Sequence, residues 1–362
     1  MQADFDNLTS EAEFLVTQVT GWLSPAGPAR AKVASRSDWA LANVASAKRL
    51  LGPTLSQVEM RRSKRFAGSE DPPHPVVDDG SHHSSAFTRI LDSKRLSNKM
   101  TGVAGSISGF QLGLLLGWMS TRVLGQYDLL ITDENQDEQD VVYYVGPNVF
   151  AIESRFGFPS RQFRLWLAIH EVTHRCQFTA VPWLRDHFVT LVNEGLSPIA
   201  ADPGRMSSIV QKIVEDLVAG RNPFSESGLV GIVTSPEQLS ALHRVQALMS
   251  LLEGHGDVVM NRAGASSIPG AKRFSQVLHQ RRTQVKGSAK LIQQLLGMEA
   301  KLRQYAEGEK FVETVERIAG EELFARVWEG PVWLPSLEEI RNPEAWISRA
   351  RANATPDTTL VG

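Results

Sequence analysis

His170-Glu171-Val172-Thr173-His174 carries the strongest chemical signal in the chain. On a helix, residues four apart stand one turn apart on the same face, so both imidazoles can reach a single zinc ion. Glu171, beside the first histidine, is placed to polarise a water on that ion and to receive its proton. In a catalytic site that water attacks a carbonyl, Zn2+ stabilises the oxyanion, and Glu171 passes the proton to the leaving amine. The implied chemistry is hydrolysis of a peptide or related amide bond, with a peptide or protein as substrate and zinc as cofactor. The competing reading is a noncatalytic zinc-stabilised scaffold or interaction protein with a vestigial site. A structural zinc needs no base beside it, so Glu171 favours the enzyme.

A catalytic zinc takes a third protein ligand and keeps one position open. Two glutamates compete for that role. Glu253 lies in LLEGHGDVVM, on the apolar side of a well-signalled helix with Val245 and Met249, and is preferred. Asp257, one turn later, can accept a hydrogen bond from the outer nitrogen of a ligating histidine. Glu194, in LVNEGLSP, is the alternative; Pro198 leaves its helix little room. His255 is a weaker ligand candidate, turned from Glu253, and is read instead as a hydrogen-bond donor to substrate or transition state. Tyr143, Tyr144, His187 and Arg282 are further candidate donors that the sequence does not rank.

The arrangement in which a glycine and a third histidine follow the motif is poorly supported, because Gln177 and Ala180 occupy those places. Cys176 lacks a recognisable Cys/His pair and reads as a small core residue. Its offset of two from His174 turns it off the ligand face.

The motif needs a helix, and the helical spacing of Phe163, Trp166, Leu167, His170, His174 and Gln177 supplies one between Pro159-Ser160 and Pro182. Ser235-Pro236-Glu237-Gln238 opens a second helix running past Met260. At the N-terminus, Ser10 with Glu13 reads as a capping box before Phe14, Leu15, Val19 and Trp22. Between Gly125 and Gly157 two short apolar runs flank an acidic turn, the clearest strand signal in the chain, and Gly146-Pro147-Asn148 reads as a further turn. The run Val141 to Phe150 is the expected edge strand on which an extended substrate would pair. The tryptophans near the C-terminus are expected to fasten a turn-rich tail to the body.

The fold class expected is mainly α with a small β-sheet. The divisions expected are an N-terminal helical region over 1–60, a flexible loop or insertion over 61–85, and a catalytic region over 86–362 fused with the first. The loop carries RRSKR and the pair His82-His83, neither with a supporting ligand pattern.

The 362 residues hold 38 Lys+Arg against 40 Asp+Glu, a net charge of -2, so no global charge calls for nucleic acid. With 42% hydrophobic residues the chain can bury a large core. A single cysteine excludes an internal disulfide and fits a reducing cytosol; the cytoplasm is the expected location. The N-terminus, MQADFDNLTSEAEF, lacks the apolar run of a secretory signal. Thr101 to Thr121, with Gly105, Gly109, Gly113 and Gly117 four apart, is read as a buried helix packed closely on a neighbour, and no stable membrane insertion is expected.

Four ordered segments, VLGQYD at Val123 to Asp128, HEVTHRCQF at His170 to Phe178, VPWLRDH at Val181 to His187 and LLEGHGDVVM at Leu251 to Met260, together resemble the actinobacterial DUF2342 family of zincin-like hydrolases. Its members are often labelled zinc-dependent metalloproteases or coenzyme F420 biosynthesis-associated proteins. The similarity spans about Leu91 to Trp346. It implies a mostly helical zincin-like fold, His170 and His174 as ligands, Glu171 as general base and Glu253 as third ligand; it supplies no substrate.

Overall fold

The computed structural model describes residues 1–46, 113, 116, 117, 119–127, 140–200, 236–265, 267–283 and 298–354. The loop expected over 61–85 lies outside them, as does most of the glycine-striped segment 101–121. The chain begins with helix α1 (Gln2–Thr20), in which Phe5, Leu8, Thr9, Ala12 and Val16 form one buried stripe. Gly21 ends it in the left-handed region at φ 70°, a conformation glycine adopts without a Cβ penalty. Ser10 therefore does not cap this helix. It sits mid-helix and donates its hydroxyl to Asp6 O, while Glu13 accepts from the Ala29 backbone N–H. The apolar stripe beginning at Phe5 outweighs the local capping signature.

Three strands form one sheet in the order β1-β3-β2: β1 (Arg30–Ala34), β2 (Gly125–Tyr127) and β3 (Val141–Val145). β1 runs parallel to β3 and β2 antiparallel to it, pairing Gly125 with Tyr144 and Tyr127 with Val142. Every residue of β3 is buried, and its alternation serves two cores. Val142 and Tyr144 join the main cluster with α1, whereas Val141, Tyr143 and Val145 pack with Trp39 on the other face. The expected edge strand over Val141 to Phe150 is thus corrected. Its first half is the central strand, and Gly146 opens helix α2 (Gly146–Phe156), with Pro147 in the first turn where no N–H partner is lost.

The central helix α3 (Ser160–Ala180) follows, then α4 (Leu184–Ala200) and the long α5 (Pro236–Gly264), which begins at the proline the sequence marks. α6 (Ala271–Thr283) and α7 (Met298–Ala319) follow. α5 serves three cores at once, its Leu248 and Leu252 packing with Val181, Leu184 and Leu191. Val259, Met260 and Ala263 pack with α3, whereas Ala247, Leu251 and Val258 pack with Phe311, Val312 and Val315 of α7. The two backbones touch where α5 crosses α7: a Cβ on Gly254 would lie 2.1 Å from the Gly308 carbonyl carbon, and one on Gly308 would lie 1.9 Å from Ser250 O. Only glycine permits that approach. The C-terminal tryptophans close this second core, with Trp346 fully buried and its indole N–H donated to Trp333 O at 2.8 Å.

Candidate metal centre

α3 has a working face and a fastened back. On the back, Arg175 is completely buried; it donates to both carboxylate oxygens of Asp140, to Glu13 and to Gly27 O. Asp140, held at φ 59°, immediately precedes β3, so this guanidinium joins α1, the turn at Gly27, the sheet and α3. Burial of an arginine this deep requires that its charge and donors be matched, and here they are. Cys176 also lies in the core, where burial pushes its thiol up to about 11. That environment suits packing and leaves the thiol protonated.

On the working face, His174 Nε2 stands 3.2 Å from His170 Nε2. Glu253, reaching across from α5, sets Oε2 at 3.7 Å from His170 Nε2 and 3.6 Å from His174 Nε2. Zinc with nitrogen and oxygen ligands at ordinary lengths has tetrahedral edges of about 3.3–3.5 Å. A triangle of 3.2, 3.6 and 3.7 Å, made of two imidazoles and a carboxylate, fits that ion. Among the described residues, these three form the group of His, Cys, Asp and Glu side chains able to hold a metal. α5 passes close by at Gly256, where a Cβ would lie 3.4 Å from His174 Cε1.

Asp257 Oδ1 is 3.9 Å from His170 Nδ1, the outer nitrogen of that ring. That separation is longer than a hydrogen bond, whereas His174 is held by one: its Nδ1 is 2.9 Å from Gln177 Oε1, and Gln177 Nε2 donates to Leu252 O at 2.9 Å. Burial works against charge on His174, but Glu253, Glu171 and Gln177 outweigh it and lift the imidazole to about 9. Gln177 is the residue sequence reasoning passed over. Its place three after His174 on one helix was the available signal.

Glu171 is buried, and β2 lies against it. A Cβ on Gly125 would stand 2.7 Å from both Cγ and Oε1 of Glu171, so any side chain at residue 125 would displace that carboxylate. The segment leading into β2 is held by Asn148, which donates to Ser120 O and Val123 O at 2.7 Å each and accepts from Arg36 Nε at 2.8 Å.

The remaining candidates lie elsewhere. Glu194 is half exposed on α4 and paired with Arg244 at 2.6 Å, outside the triangle. His187 sits beside that pair, against Trp183, with burial and then Arg244 pushing its imidazole down. Tyr144 is sealed in the core, stacked on Phe5 and bonded to Thr9, and burial pushes its phenol up. Tyr143 packs in the Trp39 cluster. The side chain of Arg282 lies outside the described residues. His255 is buried among Trp22, Phe324 and Trp328 and faces Gln177 through Nδ1, and burial pushes it down to about 3. Neutral and enclosed, it supports the centre from behind.

The fold and this cluster define a class. The family model for zincin-like metallopeptidases matches residues 1–347, and the chain belongs to that family. A crystal structure from Chloroflexus aurantiacus, described as "a putative hydrolase with a novel fold", is similar at 28% identity and a TM-score of 0.59, covering 97% of this chain and 90% of that one. Comparison with curated protein sequences gives no match. Among the described residues no helix is long and apolar enough to cross a membrane.

Proposed function

We propose that the protein is a zinc-dependent metallopeptidase that hydrolyses a peptide or related amide bond, with His170, His174 and Glu253 as ligands and Glu171 as general base. The observation that carries this reading is the near-equilateral triangle of two Nε2 atoms and one Oε2, with a buried glutamate adjacent in sequence to the first histidine. When bound, zinc supplies the Lewis acid that polarises the scissile carbonyl and lowers the pKa of the attacking water. Glu171 receives the proton of that water at its carboxylate and returns it to the leaving amine nitrogen. Gly125 leaves room for that carboxylate, Gln177 orients the His174 imidazole, and Asp257 stands 3.9 Å from His170 Nδ1, where its negative charge favours the ligating ring.

β2 is one of the two outer strands of the sheet among the described residues, and its first residue touches the base. An extended peptide adding to that strand by backbone hydrogen bonds would run beside Glu171, which supports β2 as the strand that aligns substrate. The test combines metal analysis with cleavage of a diverse peptide library. The wild type is expected to hold one zinc and to cleave; Glu253→Gln is expected to lose zinc and Glu194→Gln to keep it. Loss of zinc on altering Glu194 alone would overturn the ligand set.

A further inference from the structure

We propose that Gln177 is the positioning residue of this centre, its side-chain amide dictating which nitrogen of His174 carries hydrogen and thereby presenting a bare Nε2 to the metal. The proposal rests on the metal reading above. Its proton assignments follow from one anchor. Leu252 offers a backbone carbonyl, which can only accept, 2.9 Å from one end of the amide, so that end is the NH2 group. The other end, Oε1, can only accept, and it faces His174 Nδ1 at 2.9 Å. His174 Nδ1 therefore carries hydrogen, and when the ring is neutral, as a metal ligand must be, its lone pair lies at Nε2, the atom that faces His170 and Glu253. The second amide hydrogen meets His255 Nδ1 at 3.0 Å, which fixes the hydrogen of that ring on Nε2.

Rotating the amide by half a turn would set Oε1 against Leu252 O, two acceptors at hydrogen-bond distance. Gln177 is fully buried, so water does not offer an alternative partner. Leu252 directly precedes Glu253, so the same amide that orients His174 on α3 also grips α5 beside the third ligand. A carboxylate here could accept from His174 but would have no hydrogens for Leu252 O and His255.

Two measurements test this role. In zinc-loaded protein labelled with 15N-histidine, long-range proton–nitrogen correlation is expected to find His174 with hydrogen on Nδ1 and His255 with hydrogen on Nε2. In chelator competition, Gln177→Leu is expected to weaken zinc binding by about 10- to 100-fold, the usual effect of removing a group that orients a ligand. Gln177→Glu, which keeps an acceptor opposite His174, is expected to fall between Gln177→Leu and wild type. Folded Gln177→Leu protein that binds zinc at wild-type strength would overturn the proposal, as would His174 hydrogen on Nε2. If Gln177→Leu does not fold, the wild-type His255 ring decides alone, and hydrogen on its Nδ1 would overturn the proposal, because the amide then could not donate to that atom. A wild type that binds no zinc overturns the metal reading and this role together; one that binds zinc but cleaves nothing overturns the hydrolase reading and leaves this role standing.

Discussion

Gly125 and Glu171 are in contact so close that no side chain fits between them: a Cβ on the glycine would overlap the glutamate carboxylate at 2.7 Å. The strand and the helix therefore meet at the base itself, and the position of Glu171 depends on a hydrogen atom at residue 125. Gly125→Ala must push the carboxylate aside while leaving His170, His174 and Glu253 in place. Displacement of a reacting group by an ångström costs about 100-fold in rate. Gly125→Ala is expected to lose peptide cleavage by that order with zinc affinity unchanged, checked by parallel kinetics and chelator titration.

Arg175 holds α3 from behind, and its partners Asp140 and Glu13 depend on it for charge balance. Arg175→Met keeps much of the packed volume but leaves two carboxylates facing a vacated site. Removing one partner of a buried ion pair costs about 3–5 kcal/mol. Urea denaturation is expected to lose stability in that range, and a loss near zero would mean that the guanidinium is not the tie between α1, the sheet and α3.

His255 stays neutral in the folded protein, its imidazole pushed down to about 3 by burial, with the charges of His174 and Arg262 adding to the effect. In the unfolded chain the same ring titrates near 6.5. As pH falls from about 6.5 toward 3, the unfolded state binds a proton that the folded state refuses, so stability falls through that window. Below it both states are protonated and this contribution ceases to change. His255→Phe, which retains an aromatic ring among Trp22, Phe324 and Trp328, is expected to lose stability less steeply between pH 6.5 and 4, as read by denaturant titrations at stepped pH.

Much of this architecture is legible in the residues. Helical spacing from Phe163 to Gln177 and the proline opening α5 are local signals, and local packing decides both elements. The ligand triangle is legible in its members, since His170 and His174 share a helix turn and Glu253 stands on the apolar side of α5, but its geometry is set by the packing of α5 on α3. Ser10 misleads because capping chemistry and mid-helix back-bonding use the same hydroxyl, and the buried stripe that decides between them becomes visible only when α1 has a partner. The run from Val141 to Phe150 misleads because a central strand leading into a helix and a longer edge strand share one apolar composition. Gly125 and Gln177 have roles set across the fold, by a carboxylate and a carbonyl that the local sequence does not indicate.

The role of Glu171 is read from the rate of peptide cleavage by zinc-loaded Glu171→Gln beside zinc-loaded wild type. Both proteins are expected to hold one zinc, since Glu171 is outside the ligand triangle. The variant is expected to cleave about 100- to 10,000-fold more slowly, the range by which a positioned general base contributes. Cleavage by Glu171→Gln at the wild-type rate would rule out Glu171 as the general base.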